Sequence, residues 1–424
     1  MAYTYDLAGN RTQLAESDGS VTSWSYDAAG RLLTDQKVDA EANILFGNTY
    51  VYDALGNRTS HTDLKGVTTY QYNGLNQLCM VQCPNGSQVT YAYDGNGNRT
   101  AKSQGGNIIQ SYAYDWENHM VQASGPNGIL GTYYYNADGL RAAKVTAAGT
   151  VGFVYDGQKL LQEVGATGQT TATYTSTGGN VYDPLVGIAN AAGSHALLMD
   201  GLGSIRFLLD NTQRFSDGYV YEAFGRQVSR EGQTPSAYRF VGAYGYYQDW
   251  ETGLQLLTAR YYDAEVGRFV TRDPIGFGGG DWNIYGYVGS SPIRTADPSG
   301  RFGWDDIPIW LKAIGGIGGA SALLLAAWEV WIHYCHHTIE KSVVRIGVTY
   351  RAPILANGLQ LPTDSRHTDW SLVSRQRSLK YPGGTAETWK FHFTPENTPY
   401  NEGSWNTQTF DVPADVEPYP PNGF

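Results

Sequence analysis

The polar and apolar positions of residues 1–165 repeat with a period of about 21 residues. In each repeat, alternating apolar and polar residues end in a tyrosine that Asp or Asn follows, and most of these pairs precede a turn rich in Gly and Asn. Alternation with period two is typical of a half-buried strand, and Gly and Asn supply the positive φ angles of hairpin turns. Each repeat is therefore predicted to be a strand, a turn and a second strand. The pairs are Tyr5-Asp6, Tyr26-Asp27, Tyr52-Asp53, Tyr72-Asn73, Tyr93-Asp94, Tyr114-Asp115, Tyr135-Asn136 and Tyr155-Asp156.

One repeat of this size is too small to bury a face by itself, so neighbouring repeats must pair edge to edge. We therefore predict that residues 1 to about 300 form one continuous antiparallel β-sheet. Tyrosines two positions apart, such as Tyr50 and Tyr52, share one face of a strand. This row of tyrosines is expected to form the inner or outer skin of the sheet. Binding of carbohydrate on the tyrosine face is the alternative.

A different set of short motifs fills the stretch before residue 300. With the repeats, these motifs resemble the YD repeats and the RHS-repeat-associated core domain of the RHS family. The resemblance implies an all-β repeat protein, in which a long antiparallel β-sheet spirals as a shell and the core closes one end. It divides the chain into repeats at 1–236, a core domain at 237–300 and a variable C-terminal domain at 301–424. The motifs are Tyr238-Arg-Phe-Val-Gly-Ala-Tyr244, Ala259-Arg-Tyr-Tyr-Asp263, Gly267-Arg-Phe269, Arg272-Asp-Pro-Ile-Gly276, Asn283-Ile-Tyr-Gly-Tyr287 and Asp297-Pro-Ser-Gly300.

The RHS family includes polymorphic toxins of bacteria. The resemblance therefore implies the C-terminal part of such a toxin, with a variable effector tip used in interbacterial competition and with an immunity protein and a secretion apparatus as partners. The resemblance implies a secreted or cell-surface location. Because the N-terminal sequence has neither a basic nor an apolar signal region, a non-classical route is expected. A structural or adhesive cell-surface protein and a displaced, inactive RHS remnant are the alternatives.

In the RHS family, two aspartates and an arginine at motif positions are tied to self-cleavage of the chain. Carried over to this sequence, Asp273 and Asp297 are the catalytic pair, and Arg260 orients or stabilises the site. Two neighbouring carboxyl groups have pKa values that are pushed apart, so that one acts as base and the other as acid. The predicted activity is that of an intramolecular aspartyl autoprotease. The alternative is that the Asp-Pro pairs only begin turns.

The family cleaves just after the Asp-Pro-x-Gly motif, which predicts a cut at Gly300, Arg301 and Phe302, near the bond between the last two. The family has an aliphatic residue where this chain has Arg301. Because a charged side chain fits an apolar pocket poorly, this departure favours slow cleavage or none.

Composition narrows the possible functions. The chain has 29 Lys and Arg against 40 Asp and Glu, a net charge of −11, which argues against nucleic-acid binding through the shell. Three cysteines among 424 residues exclude a scaffold held by disulfides. The sequence contains no GxxxxGK[ST], GxSxG or HExxH, and no cofactor is predicted.

The tyrosine repeat stops after Gly300, and the residues from Ala313 to Trp328 carry no charge. We predict a hydrophobic helix within 307–337 and a β-rich stretch at 340–424, which together form a small α+β domain. The helix is either buried or contacts a membrane.

The membrane contact would run through 313–332, because a spanning helix needs roughly 20 apolar residues. Glu329, His333 and His337 are spaced by four, so they share one face of this helix. They are a candidate zinc set. A solvated or interfacial histidine cluster is the favoured alternative, since the sequence offers no evident fourth ligand.

Overall fold

The computed structural model describes residues 1–279 and 281–301, together with the backbone of five strands nearer the C-terminus. Contacts divide the chain into two units, Met1–Gly319 and Ala320–Phe424, which are described separately. Within the described residues, no helix is long and apolar enough to cross a membrane. The segment 307–337, predicted to be a hydrophobic helix with a membrane contact at 313–332, lies outside them.

Residues 2–231 form one antiparallel sheet of 22 strands, in which strands pair in chain order. The predicted pairing of repeats edge to edge is confirmed for this stretch. The strands are β1 (Ala2–Tyr5), β2 (Arg11–Ala15), β3 (Val21–Tyr26), β4 (Leu32–Val38), β5 (Ile44–Tyr52), β6 (Arg58–Asp63), β7 (Gly66–Tyr72), β8 (Leu78–Gln82), β9 (Gln88–Tyr93), β10 (Arg99–Gln104), β11 (Asn107–Tyr114), β12 (Met120–Gly125), β13 (Gly128–Tyr135), β14 (Arg141–Thr146), β15 (Gly149–Asp156), β16 (Lys159–Gly165), β17 (Thr170–Ser176), β18 (Leu185–Asn190), β19 (Gly193–Met199), β20 (Ile205–Asp210), β21 (Phe215–Tyr221) and β22 (Gln227–Glu231).

In most pairs, the Asp or Asn that follows the tyrosine caps the next turn. Oδ1 of Asp53 accepts hydrogen bonds from the backbone N–H groups of Leu55 and Asn57, both at 2.9 Å. Asp115 and Asn136 accept the same two bonds in their own repeats. An Asx turn of this kind fixes the hairpin and leaves the carboxylate occupied by the backbone.

In five of the pairs, the tyrosine hydroxyl bonds its strand to the preceding one. The Tyr72 hydroxyl donates to the carbonyl of Arg58 at 2.7 Å, and the Tyr155 hydroxyl donates to that of Arg141 at 2.9 Å. Of the tyrosines two residues earlier, Tyr50, Tyr70, Tyr112 and Tyr133 are buried. These buried rings are a skin of the sheet, and they offer no exposed stacking surface to a carbohydrate.

The large sheet curls until its last strands meet its first. Arg206 in β20 lies 2.9 Å from the carboxylate of Glu16, which follows β2. The N–H of Ala223, after β21, donates to Asp35 in β4 at 2.7 Å. Within the described residues, β1 pairs only with β2, and β22 pairs only with β21. The curl is therefore a spiral that stays open.

The residues after β22 do not extend this sheet. They form a separate four-stranded antiparallel sheet whose strands have two to four residues. The prediction of one continuous sheet to about residue 300 is wrong here. The reason is that every residue of the last three strands is buried, so both faces of this small sheet are enclosed. Its strands are β23 (Tyr247–Asp249), β24 (Leu254–Leu257), β25 (Arg260–Asp263) and β26 (Arg268–Phe269), and 3₁₀ turns lie at Gly242–Tyr244, Gly276–Gly279 and Val288–Ser290.

Aromatic contacts join the small sheet to the inner face of the large one. Tyr133 in β13 packs against Tyr261 in β25, with ring centres 5.9 Å apart. Tyr174 in β17 meets Tyr238 edge to face at 4.8 Å. All four rings belong to one hydrophobic cluster, so the curled sheet and the segment after it share a core.

The second unit is described as strands alone. β29 (Ser365–Arg377), β30 (Thr385–Pro395) and β31 (Ser404–Val412) form a three-stranded antiparallel sheet, and β27 (Ile354–Leu355) pairs with β28 (Leu359–Gln360). All five lie in the stretch 340–424 that the sequence predicts to be β-rich.

Candidate active site

Three segments of the small core bring Arg260, Asp273 and Asp297 together. Arg260 begins β25, Asp273 follows β26 by four residues, and Asp297 opens the Asp-Pro-Ser-Gly turn. The backbone N–H of Asp273 donates to the carbonyl of Ile284 at 2.8 Å, which fixes this irregular segment. Residues 24 positions apart in the sequence thereby face one arginine.

One guanidinium nitrogen of Arg260 contacts both carboxylates. Its Nη2 lies 2.8 Å from Oδ2 of Asp273 and 3.0 Å from Oδ2 of Asp297. Its Cζ lies 3.5 Å from the ring centre of Phe269, and all four residues are buried. Because buried charges persist only when they are paired, this single cation holds the two carboxyl groups close to each other.

Arg260 also binds the chain next to the predicted cut. Its Nε–H donates to the carbonyl of Gly300. Nearby, the Thr258 hydroxyl donates to the carbonyl of Pro298 at 2.8 Å. The Asp-Pro-Ser-Gly turn is therefore bound along the connection between β24 and β25.

Gly300 is required by the shape of this turn. Its φ is +64°, a conformation that L side chains rarely adopt. A Cβ atom there would lie 2.0 Å from the carbonyl oxygen of Leu257 and 2.9 Å from the backbone nitrogen of Arg260. Any other residue at this position would push the turn away from the arginine.

The outer oxygen of Asp297 faces the chain that follows it. Oδ1 accepts a hydrogen bond from the N–H of Arg301 at 3.1 Å and one from the Ser299 hydroxyl at 3.1 Å. Burial raises the pKa of Asp297, and this effect outweighs the opposite effect of Arg260. Burial also lowers the pKa of Arg260, although both carboxylates favour its charged form. The raised pKa favours a protonated carboxyl group at Asp297.

A hydrogen-bonded pair of tyrosines binds the backbone of Asp297. The backbone N–H of Asp297 donates to the hydroxyl oxygen of Tyr246 at 2.6 Å, and the Tyr246 and Tyr287 hydroxyls lie 2.9 Å apart. Both rings are buried, and burial raises both pKa values well above that of a free tyrosine. Both hydroxyls therefore stay neutral at ordinary pH, and they fix where Asp297 begins its turn.

The site borders a cleft of about 720 Å³. Asp273 and Arg301 line it from the core, and Trp116 and Asp138 line it from the turns of the large sheet. Arg301 is exposed. The cleft therefore gives water a path to Asp273 and to Arg301.

The structure brings together Arg260, Asp273 and Asp297, three residues that the sequence analysis selected, with Gly300 and Arg301 beside them. The remaining predicted site residues lie outside the described residues; these are Phe302 of the cleavage site and Glu329, His333 and His337 of the zinc set.

Sequence analysis missed Ser299 and Tyr246. Ser299 occupies the variable position of Asp-Pro-x-Gly, so the motif drew no attention to it. Tyr246 lies in the sequence Tyr244-Gly-Tyr-Tyr247, and aromatic residues in such a stretch are typical of a buried core. The available signal was proximity in sequence: Ser299 lies between a predicted catalytic aspartate and the predicted cut.

One group of potential metal ligands lies in the large sheet. Single ligand atoms of Asp115, Glu117 and His119 lie within 4.8 Å of one another. Oδ1 of Asp115 already caps its turn, and its Oδ2 lies 3.3 Å from Nδ1 of His119. Turn capping and this contact account for the arrangement.

Buried ion pairs tie the core to the repeats. Asp249 in β23 contacts Arg141 and, at 2.8 Å, Lys144, both from β14. Asp263 in β25 contacts Arg99 from β10 at 2.8 Å. Each of the two arginines is the first residue of its strand, directly after the turn that follows a tyrosine pair. The repeat motif itself therefore supplies cations that hold the core.

The sequence profile of the Teneurin YD-shell family matches residues 48–278, more than half of the 424 residues. The chain belongs to the YD-shell family. The RHS Repeat profile matches residues 5–42 of the same YD-shell sheet. The resemblance identified from the sequence is therefore confirmed.

Relatives of this YD-shell protein include toxins. The tRNA3(Ser)-specific nuclease WapA of Bacillus spizizenii is 27% identical over 78% of this chain and 13% of the nuclease. The double-stranded DNA deaminase toxin A of Burkholderia cenocepacia is 29% identical over 71% of this chain and 22% of the toxin. Toxin protein Tse5 of Pseudomonas aeruginosa is 39% identical over 79 residues, 19% of this chain and 6% of Tse5. The chain thus spans less than a quarter of each of these relatives.

Solved structures similar to this YD-shell include the crystal structure of TcdB2-TccC3-Cdc42. The match has 18% sequence identity and a TM-score of 0.37, and it covers 71% of this chain and 19% of the other.

Proposed function

We propose that this chain is the C-terminal part of an RHS-type polymorphic toxin used in interbacterial competition. In this proposal the repeats at 1–236 form the shell, the core at 237–300 cleaves its own chain, and 301–424 is a variable effector tip. The toxins among the relatives support the class. The observation that carries self-cleavage is the single nitrogen of Arg260 that contacts both Asp273 and Asp297.

In this proposal each carboxyl group has one role, which the charges of the site support. One guanidinium neutralises one carboxylate, so the second carboxyl group favours its protonated form. Burial raises the pKa of Asp297, which makes Asp297 the acid. Asp273 lines the cleft, which makes it the base that takes a proton from water. The activated water attacks the carbonyl carbon of Arg301, and the bond to Phe302 breaks.

Arg260 has two tasks in this scheme. It holds the carboxyl pair together, and its Nε–H holds the carbonyl of Gly300, one residue before the reacting carbonyl. Positioning of this kind contributes to catalysis because the reacting groups are aligned before reaction. The partners in this proposal are an immunity protein and a secretion apparatus, and the location is secreted or at the cell surface by a non-classical route.

The test is the state of the purified full chain and its variants. Asp273→Asn and Asp297→Asn should leave the chain whole, because an amide cannot shuttle the proton. Arg260→Ala should slow the cut. The matched control is Asp138→Asn, which changes an exposed carboxylate on the opposite wall of the same cleft and should cleave like wild type.

Arg301→Leu restores the aliphatic residue of the family and should speed cleavage if a pocket selects that side chain. An intact chain in wild type and in Arg301→Leu would overturn the protease and leave a structural plug. That outcome would favour the structural, adhesive or remnant alternatives.

The effector tip is tested by expressing the full chain in bacteria. Growth should stop with wild type and continue with Asp273→Asn if release of 301–424 is required. Co-expression of the neighbouring downstream reading frame should restore growth if that frame encodes the immunity protein. If growth is the same in all of these cultures, the chain is not a toxin to the cell that expresses it. The result of the cleavage experiment is not affected.

A further inference from the structure

Ser299 stands between the carboxyl group of Asp297 and the backbone of Arg301. Its Oγ lies 3.1 Å from Oδ1 of Asp297 and 3.1 Å from the carbonyl oxygen of Arg301. That carbonyl belongs to the peptide bond to Phe302, at which we propose the cut. The three oxygens therefore form a continuous hydrogen-bonded path from the proposed acid to the reacting carbonyl group.

The position of the proton on Asp297 follows from its neighbours. Oδ2 faces Nη2 of Arg260 at 3.0 Å, and a guanidinium group can donate but cannot accept. A proton on Asp297 therefore belongs on Oδ1, the oxygen that faces Ser299. A serine hydroxyl has one hydrogen and two lone pairs, so it can accept from Asp297 and donate to Arg301 at the same time.

On the basis of the proposed self-cleavage, we propose that Ser299 is a further catalytic residue, a relay that carries the proton of Asp297 to the carbonyl oxygen of Arg301. The relay belongs to the segment being cut, so the substrate supplies part of its own catalytic machinery. The serine hydroxyl lies between Oδ1 of Asp297 and the carbonyl oxygen of Arg301. The relay explains how Asp297 can act as the acid across this hydroxyl.

The addition step balances with water as the second reactant. The water oxygen bonds to the carbonyl carbon of Arg301, and one water proton passes to Asp273. The electron pair of the carbonyl bond moves to its oxygen, which takes the hydroxyl proton of Ser299. Ser299 in turn takes the proton of Asp297. The result is a neutral diol, a protonated Asp273 and an ionised Asp297.

The second step reverses the proton transfers. Asp273 gives its proton to the nitrogen of Phe302, and the carbon–nitrogen bond breaks. A proton of the diol returns through Ser299 to Asp297. The products are a carboxylic acid on Arg301 and an amine on Phe302, and both aspartates regain their starting states.

A purely structural role for the hydroxyl is the competing explanation. The N–H of Arg301 also donates to Oγ of Ser299 at 3.1 Å, a local bond of the kind that stabilises turns. Both roles predict a defect in Ser299→Ala. They differ in the pH dependence of cleavage by Ser299→Ala. If the hydroxyl only stabilises the turn, Asp297 still acts as the acid without it, and the variant keeps the wild-type pH dependence.

The experiment follows cleavage of the full chain after a labelled pulse of cell-free synthesis, at several pH values. Ser299→Ala should cleave about 100-fold more slowly, at the lower end of the contribution of a general acid. It should also lose the decline in rate that wild type shows when Asp297 ionises. Ser299→Thr, which keeps the hydroxyl, should restore both the rate and the pH profile.

The control is Ser291→Ala, which removes a hydroxyl that bonds the carbonyl of Gly30 and so ties the same core to the sheet. It should cleave at the wild-type rate. If Ser299→Ala cleaves like wild type, or Ser299→Thr is as slow as Ser299→Ala, the relay is wrong and the carboxyl pair stands. If only Arg301→Leu is cut, the series runs in that background. If neither wild type nor Arg301→Leu is cut, the proposed protease and the proposed relay are both wrong.

Discussion

The turn that holds Gly300 depends on the absence of one carbon atom. A Cβ there would lie 2.0 Å from the carbonyl oxygen of Leu257, far inside van der Waals contact. The Asp-Pro-Ser-Gly motif marks this glycine in the sequence, but the motif does not show what the glycine approaches. Ser299, in contrast, is not marked by the motif at all. Its contacts form only when the turn is folded.

Gly300→Ala should abolish or strongly slow self-cleavage while the shell stays folded. The methyl group would displace the turn from Arg260, so the reacting carbonyl would leave its alignment. The measurement is the intact fraction of the purified chain, with circular dichroism to check the sheet. Gly278→Ala is the matched control, since a Cβ at Gly278 meets nothing within 4 Å. Equal cleavage in both variants would contradict the tight turn.

His61 should make the shell sensitive to acid. Burial and then the nearby Arg58 lower the pKa of His61 to about 4, and its Nε2 lies 2.8 Å from the side-chain oxygen of Asn48. The unfolded chain protonates this histidine near pH ~6.5. The stability that neutral His61 provides is therefore present above that pH and lost as the pH falls toward 4, by up to about 3 kcal/mol.

Urea unfolding at pH 7 and pH 4.5 measures this loss. His61→Gln should lose about 2–3 kcal/mol less than wild type between the two values, because glutamine does not titrate. His119→Gln, at an external turn of the sheet, serves as the control. A His61→Gln variant with the full wild-type loss would show that the acid sensitivity comes from other groups.

At the scale of the repeat, the Tyr-Asp and Tyr-Asn pairs act through both side chains. Asn73 caps its turn, and the hydroxyl of Tyr72 bonds the neighbouring strand. Period and turn residues predicted these elements because the interactions that form them are local. The end of the large sheet at Glu231 was not predictable in the same way. Whether a later strand joins the edge or packs inside depends on burial of both its faces, a property of the folded molecule.

Tyr72→Phe should destabilise the sheet by about 1–2 kcal/mol. It removes the hydroxyl that donates to the carbonyl of Arg58 at 2.7 Å, and an unpaired, partly buried acceptor costs about that much. Tyr134→Phe is the control, since Tyr134 is 54% exposed, and it should change stability by less than about 0.5 kcal/mol. Denaturant unfolding of the two variants measures the difference, and equal values would show that the hydroxyl contributes nothing.

For the molecule as a whole, buried charges join parts of the chain that lie far apart in the sequence. Asp249 in the core neutralises both Arg141 and Lys144 of β14. The family resemblance predicted a shell with a core at one end, and the YD-shell match confirms the family. It did not predict which charged residues pair, because charge pairing across more than 100 residues leaves no pattern along the chain.

Asp249→Asn should destabilise the first unit by about 3–5 kcal/mol, the usual cost of leaving a buried charge without its partner. Arg141 would lose its carboxylate, and Lys144 would keep only that of Glu251, at 3.3 Å. Glu41→Gln, at an exposed turn, should be neutral. The midpoint and slope of denaturant unfolding measure the change, and a loss below about 1 kcal/mol would mean that water enters the core and replaces the pair.

Self-cleavage is tested most sharply by the intact mass of the wild-type chain purified in denaturant from freshly grown cells. Self-cleavage predicts two peptides, one ending at Arg301 and one beginning at Phe302, whose masses together exceed that of the chain by one water. Asp273→Asn should give a single mass. One unbroken chain in wild type and also in Arg301→Leu, or the same two peptides from Asp273→Asn, would contradict the proposed aspartate mechanism.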